Sequence, residues 1–373
     1  MSDESEIEAG LAPRANPNLY GHEAGEAALL EAFAGGRLPH AWLITGPRGI
    51  GKATLAYRFA RFVLAQEKPG GSSEPGGLFG APAAPKSLAL KPDHPVFRRT
   101  AAGGHADLLT VERGIDEKTG RKRTEIVVED ARAVADFLHL TPAEGGWRVV
   151  VIDGVEDMNR SAANAVLKIV EEPPAQALIL LVSHAPGRLL ATIRSRCRRL
   201  ALKPLDEATI RRILGEQIPG LDPGDATALA RLAEGSAGRA LELAAQGGLD
   251  LLREVMGLLE TLPRLDGVAL HRLAERMGGA DGAERFRTVT ELVQWWLARL
   301  IRVGGTGEGP AGGEVVPGES ALYARLSAAR RLDPWLEVWD KTGALFSRAE
   351  SVNLERKQVV LNAFLALEAA ARG

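Results

Sequence analysis

Residues 148–197 read RVVVIDGVEDMNRSAANAVLKIVEEPPAQALILLVSHAPGRLLATIRSRC, and this stretch decides the fold. Val149, Val150, Val151 and Ile152 form a continuous apolar run, too short for a helix and rich in β-branched residues, which suits a strand buried on both faces. The run ends in Asp153. From Arg160 to Glu172, apolar residues fall at Ala163, Val166, Leu167 and Val170, the spacing of one helix face, until Pro173 and Pro174 end the helix. Leu178 to Val182 restores a strand before Ser183, and after a Pro/Gly break a short segment delivers Ser195, Arg196 and Cys197. In an open parallel sheet the carboxyl ends of the strands line the ligand crevice, so Asp153 and Ser183 are expected there.

Upstream, Ala41 to Thr45 reads as a short strand that runs into Gly46-Pro47-Arg48-Gly49-Ile50-Gly51-Lys52-Ala53, with Leu55, Phe59, Phe62 and Val63 marking the next helix. Strand, glycine loop and helix form the context that a phosphate loop requires. Gly46, Gly49 and Gly51 let backbone amides turn inward, the helix N-terminus favours an anion, and Lys52 can reach the outer phosphates. The position after the lysine should carry a hydroxyl for magnesium, and here it is Ala53. Thr54 comes one residue late, a rotation of roughly 100° around a helix.

The 373 residues exceed the usual size of one core, which implies two or three domains. A hydrophobic fraction of 45%, a charged fraction of 25% and a net charge of -2 describe a soluble globular chain without a global nucleic-acid footprint, so any DNA contact must be local or supplied by partners. A single cysteine excludes an internal disulfide framework and suits a reducing compartment. No targeting signal is evident, and no run approaches the roughly 18 apolar residues of a membrane span. The expectation is a cytoplasmic protein with no membrane partner.

Residues 1–18 lack periodicity and read as a mobile arm. Gly21 to Phe33 is a helix candidate, Asp107 to Glu112 a strand, and Val134, Phe137 and Leu138 mark another helix. Gln66 to Asp93, rich in Gly, Pro and Ser, is an excursion from the core, and Arg121, Lys122 and Arg123 read as a solvated loop. Glu156 and Asp157 also read as solvated loop acids. Beyond Leu205 the pattern turns helical, first in short faces at Ile210, Ile213 and Leu214 and at Leu229, Leu232 and Ala233. Longer faces follow at Leu252, Val255, Met256 and Leu259, and at Phe286, Val289, Val293, Trp296 and Leu300. Gly304 to Gly318 reads as a low-complexity loop, and Trp335, Val338, Trp339, Val359, Val360, Phe364 and Leu365 as filling of a helical core.

The string AANAVLKIVEEPP (162–174) followed by IRSRC (193–197) resembles, closely and in order, the bacterial clamp-loader branch of the AAA+ ATPases. The resemblance is strong over about the first 245 residues and weak beyond. It implies an α/β class with an all-α remainder: an AAA+ P-loop parallel-sheet domain at 19–204, a small helical lid at 205–246 and a helical collar for oligomerisation at 247–373. It places Arg239, in Gly235-Ser236-Ala237-Gly238-Arg239, as a sensor over nucleotide. It also makes Arg196 a finger that acts in trans on a neighbour's γ-phosphate. Members that hydrolyse ATP follow the strand aspartate with a water-polarising glutamate, where this chain has Gly154; many carry a four-cysteine zinc module where residues 66–93 hold no cysteine, so no zinc and no other metal is expected.

Within that branch the pattern is most similar to the delta-prime type of subunit. The resemblance implies a non-catalytic stator working with gamma/tau and delta types of subunit, the sliding clamp and, through the complex, primed DNA. ATP or ADP occupancy of the phosphate loop stays open, while turnover by this chain is not expected. Two other readings stand beside it: an active clamp-loader ATPase resembling gamma or tau, favoured by Lys52, Asp153 and Arg239, and a regulatory AAA+ interaction protein outside replication.

Overall fold

The computed structural model describes residues 12–66, 85, 87–115, 120, 123–144, 146–279, 282–328, 332–352 and 354–372. The chain divides into two compact units, one through Asp206 and one from Glu207.

In the first unit the elements run α1 (Glu23–Ala34), β1 (Ala41–Thr45), α2 (Lys52–Leu64), α3 (Pro95–Ala101), β2 (Leu108–Val111), α4 (Val128–His139), β3 (Arg148–Asp153), α5 (Arg160–Glu171), β4 (Ala177–Ser183), α6 (Ala191–Arg196) and β5 (Arg198–Ala201). The strands make one parallel sheet in the order β2-β3-β4-β1-β5. Successive side chains of a strand face opposite ways, and the core divides accordingly. Val149 and Val151 pack with Trp42, Ile44, Leu55, Phe59 and Leu180 on the side of α1 and α2. Val150 and Ile152 pack with Leu43, Leu181, Val134, Val166 and Ile193 on the side of α4, α5 and α6. Layers on both faces explain why β1 and β4 are buried at every position.

The register aligns Thr45 with Ser183 and Asp153 with Val182, so the ends of β1, β3 and β4 are level. β5 does not show in the apolar pattern, because Arg198 and Arg199 are exposed on an edge strand that pairs with β1 alone. α3 was equally illegible. It starts where the His94 ring accepts a hydrogen bond from the Val96 amide, with Pro95 in its first turn.

The expected arm at 1–18 needs correction over its described part. Arg61, only 2% exposed, donates to the carbonyls of Arg14 (2.8 Å) and Asn16 (3.0 Å) and lies 4.4 Å over the Phe97 ring. Arg58 donates to Pro17 O at 2.8 Å and pairs with Glu26. These residues are fastened to α2. Residues 1–11, most of the 66–93 excursion, and Arg121 and Lys122 lie outside the described residues. A buried ion pair, Arg148 with Asp107 at 3.5 Å, closes the opposite end of the sheet, where Asp107 also accepts from the amides of Ala143 and Glu144.

The second unit is helical: α7 (Glu207–Gln217), α8 (Pro223–Leu232), α9 (Ala237–Ala245), α10 (Gly248–Glu260), α11 (Gly267–Glu275), α12 (Gly282–Thr306), α13 (Glu319–Ser327), α14 (Asp333–Val352) and α15 (Arg356–Arg372). Trp296, Trp335, Tyr323, Leu300 and Phe364 are buried. Trp339 and Leu365, expected in the core, are 40% and 51% exposed, since the helices turn those positions outward. The expected loop from Gly304 also starts later, because α12 continues to Thr306. The segment after it is pinned: Arg299 pairs with buried Glu319 at 3.0 Å and donates to Ala311 O and Gly313 O, while Glu319 accepts from Val315 N.

Arg61→Met is expected to free Arg14–Asn16 while changing global stability by no more than about 1 kcal/mol. The lost hydrogen bonds are offset by relief of a buried guanidinium whose pKa burial lowers to about 10. Hydrogen exchange at residues 12–18 should quicken with the melting temperature nearly unchanged, and protection equal to the wild type would refute the tether.

Candidate functional site

The turn between β1 and α2 is shaped by contacts that only glycine permits. At Gly46 the backbone has φ +150, and a Cβ there would lie 2.6 Å from the carbonyl oxygen of Leu202 and 2.8 Å from Ile50 Cδ1. Gly51 stands as the left-handed N-cap of α2 at φ +102. Buried His22, just ahead of α1, makes a 2.6 Å hydrogen bond from Nε2 to Ile50 O, so a residue far upstream in sequence braces the loop. Gly49 is also left-handed, at φ +74.

Lys52, the first residue of α2, is 5% exposed and donates from Nζ to the carbonyl of Pro47, inside its own loop. Burial pulls its pKa down to about 8, with Asp153 and Glu156 opposing and Arg48 adding to the fall. The lysine is therefore poised over the carboxyl ends of the strands. Ala53 is half-buried beside it and presents no oxygen, while Thr54 is buried on the next position of the helix.

Asp153 closes β3. Burial raises its pKa, Glu112 raises it further, and Lys52 and His184 pull the other way. The next residue, Gly154, adopts φ +75 and caps a single 3-10 turn at Val155–Asp157. A Cβ at 154 would sit 3.0 Å from Asp157 Oδ2, and Asp157 is itself held by Arg113 at 3.2 Å. The left-handed backbone at 154 suits glycine, and any side chain there would require the Asp157 carboxylate to give way.

Glu156 corrects the sequence reading. Far from being a solvated loop acid, it is buried, and its Oε1 accepts from the amides of His184 and Ala185, both at 2.9 Å, and meets His184 Nδ1 at 3.1 Å. Burial opposes its charge, but hydrogen bonds from its own amide and that of His184, with the neighbouring imidazole, hold its carboxyl below the usual range. The carboxylate fastens the turn after β4, where Ser183 is fully buried. Only its place three residues after the strand aspartate hinted at this. Asp157 is likewise partly buried and paired.

The structure therefore brings Gly46, Gly49, Gly51, Lys52, Asp153 and Ser183 to one end of the sheet, with Glu156, His184 and His22 as members that the sequence reading missed. Arg239 belongs to the second unit, in the first turn of α9, where its amide donates to the Ser236 hydroxyl. Arg196 ends α6 with its side chain 42% exposed and paired to Glu171 at 2.8 Å. Cys197 is 8% exposed, and burial pushes its thiol up to about 11, which fits a packing residue rather than a nucleophile. Among the described residues no three His, Cys, Asp or Glu side chains are grouped to hold a metal, and no helix is long and apolar enough to cross a membrane.

Comparison with known proteins gives three concordant findings. A family model described as DNA polymerase III, delta subunit, matches residues 85–206. The tau subunit of DNA polymerase III from Escherichia coli (strain K12) is 31% identical over 309 residues, 79% of this chain. The chain spans 44% of the length of that relative. Delta-prime subunits of DNA polymerase III are 39% identical over 165 residues in Pseudomonas aeruginosa, covering 44% of this chain and 43% of that one, and 32% identical over 275 residues in Yersinia pestis, covering 71% and 70%. A phosphate loop alone is shared by many unrelated proteins, but similarity that extends over most of two chains is not, and this chain belongs to the clamp-loader family of DNA polymerase III subunits.

Proposed function

We propose that the chain is a non-hydrolysing stator of a clamp loader, working beside gamma/tau and delta types of subunit to place the sliding clamp on primed DNA. Its chemical contribution is Arg196, offered in trans to a neighbour's nucleotide. One observation carries this reading: the backbone at Gly154 is set at φ +75 with the Asp157 carboxylate against it, while Arg196 stands half-exposed at the end of α6. What supports it is that the residue after the strand aspartate carries no carboxylate, whereas the arginine is kept at the surface. A planar guanidinium stabilises charge that develops on a transferring phosphoryl group, and it does so from any chain that can reach.

Gly46, Gly49, Gly51 and Lys52 are the residues that would hold the phosphates of ATP or ADP, with Asp153 and Ser183 at the adjoining strand ends. Such a nucleotide would supply a structural anion at the start of α2. The rival reading, an active clamp-loader ATPase resembling gamma or tau, is favoured by the retained Lys52, Asp153 and Arg239. A regulatory role outside replication would be recognised by failure of the chain to co-purify with loader subunits.

The isolated chain is expected to show no ATP turnover stimulated by DNA and clamp. Turnover that disappears in Lys52→Ala would establish the ATPase reading instead. Nucleotide held by the loop should keep its affinity when magnesium is chelated, because Ala53 offers no ligand. Its affinity should fall as pH rises through about 8, because Lys52 is cationic below that value and neutral above it; fluorescent-nucleotide titration reads both effects.

Arg196→Ala should leave folding and assembly essentially intact. In the rebuilt complex it should lower hydrolysis at the adjacent site by up to about 10³ to 10⁵-fold, with total turnover falling less because other sites have their own arginines. Arg196→Lys should rescue poorly, since an ammonium lacks the fork. Full loader activity with Arg196→Ala at matched assembly would remove the trans role.

A further inference from the structure

Arg196 does not stand free in this chain. Its Nη2 lies 2.8 Å from Glu171 Oε1, and its Nη1 donates to Thr192 O at 3.3 Å, so each terminal nitrogen of the fork already has one contact on its own chain. A phosphate gripped by both terminal nitrogens has to compete with the Glu171 carboxylate for the charge. Glu171 occupies the last turn of α5, and Glu172 follows it immediately. A helix C-terminus carries the negative end of the helix dipole, so two carboxylates there are electrostatically misplaced unless a cation answers them. Lys168, one turn earlier, is on the same helix end, yet the close partner of Glu171 is Arg196, from a different helix.

Resting on the trans role proposed above, we propose that Glu171 is a parking carboxylate for Arg196, holding the guanidinium on its own chain until a neighbour's triphosphate displaces it. The exchange is favourable in that direction because a polyanionic phosphate offers more charge and more acceptor oxygens than one carboxylate. It reverses when the γ-phosphate departs, since the carboxylate is at hand to take the arginine back. Glu171 is accordingly a positioning residue: it touches no reacting atom and sets how much phosphate charge is needed before Arg196 moves. The pair is 42% and 37% exposed, so solvent screens it and the competition is mild. A mild competitor gives a reversible contact, where a buried pair would lock the arginine away.

The test is steady-state hydrolysis against ATP concentration in the fully assembled loader, comparing wild type, Glu171→Gln, Arg196→Ala and the double variant. Glu171→Gln should lower the apparent KM for ATP about 1.4- to 5-fold, the range expected from an exposed pair, with kcat unchanged. The shift should shrink at high salt, which screens the pair in the wild type, and it should vanish in the Arg196→Ala background. Glu171→Asp, which keeps the charge but shortens the reach, should fall between Gln and Glu. An unchanged KM, a KM shift that persists without Arg196, or a kcat lowered as by Arg196→Ala would each overturn the parking role. If Arg196→Ala itself leaves activity intact, it is the trans reading that has failed, and the two failures are thereby distinguishable.

Discussion

Burial of the sheet on both faces is the constraint from which the first unit follows. Strands β1, β3 and β4 have no side that water can reach, so helices must cover each face and the chain must cross over between parallel strands. Parallel crossovers bring every strand out at the same end. That is why Thr45, Asp153 and Ser183 are level, and why a loop on β1 meets an aspartate on β3 although more than a hundred residues separate them. The site is a by-product of apolar packing, to which a few polar residues have been added at the rim.

At that rim the charges answer one another. Lys52 folds back onto Pro47, its charge weakened by burial and supported by two carboxylates. Glu156 spends its charge on the turn after β4. At the opposite end of the sheet, where α5 and α6 lead into β4 and β5, Arg196 rests on Glu171. Each cationic group has a local acceptor of modest strength, an arrangement that holds its geometry while leaving it free to prefer a stronger anion.

The sequence disclosed most where burial is symmetrical. Val149–Ile152 and Leu178–Val182 are legible because a strand covered on both faces must be apolar at every position, and the α5 face is legible because one side of it is not. β5 escaped because an edge strand with exposed arginines has no hydrophobic signature. Glu156 was misread for a related reason: composition reports that an acid follows a strand, but not that backbone amides 28 and 29 residues away are turned toward it. The tether at Arg58 and Arg61 was hidden in the same way, since both arginines find carbonyl oxygens, which every residue possesses. Gly154 was read as the loss of a side chain, whereas the structure shows a backbone conformation and a neighbouring carboxylate that make the loss hard to reverse.

The segment between α12 and α13 illustrates what recognition through the main chain implies for change over time. Arg299 grips the carbonyls of Ala311 and Gly313, and Glu319 grips the amide of Val315, so the contacts ignore side-chain identity. The grip itself places no demand on the side chains at 311 and 313, although Val315 and Val316 are buried and Gly312, Gly313 and Gly318 hold left-handed backbone. The number of residues is not free, because one guanidinium must reach two carbonyls two residues apart while its partner carboxylate reaches an amide two residues further on. Such an element is intolerant of insertion, which is the reverse of how a low-complexity stretch is ordinarily regarded.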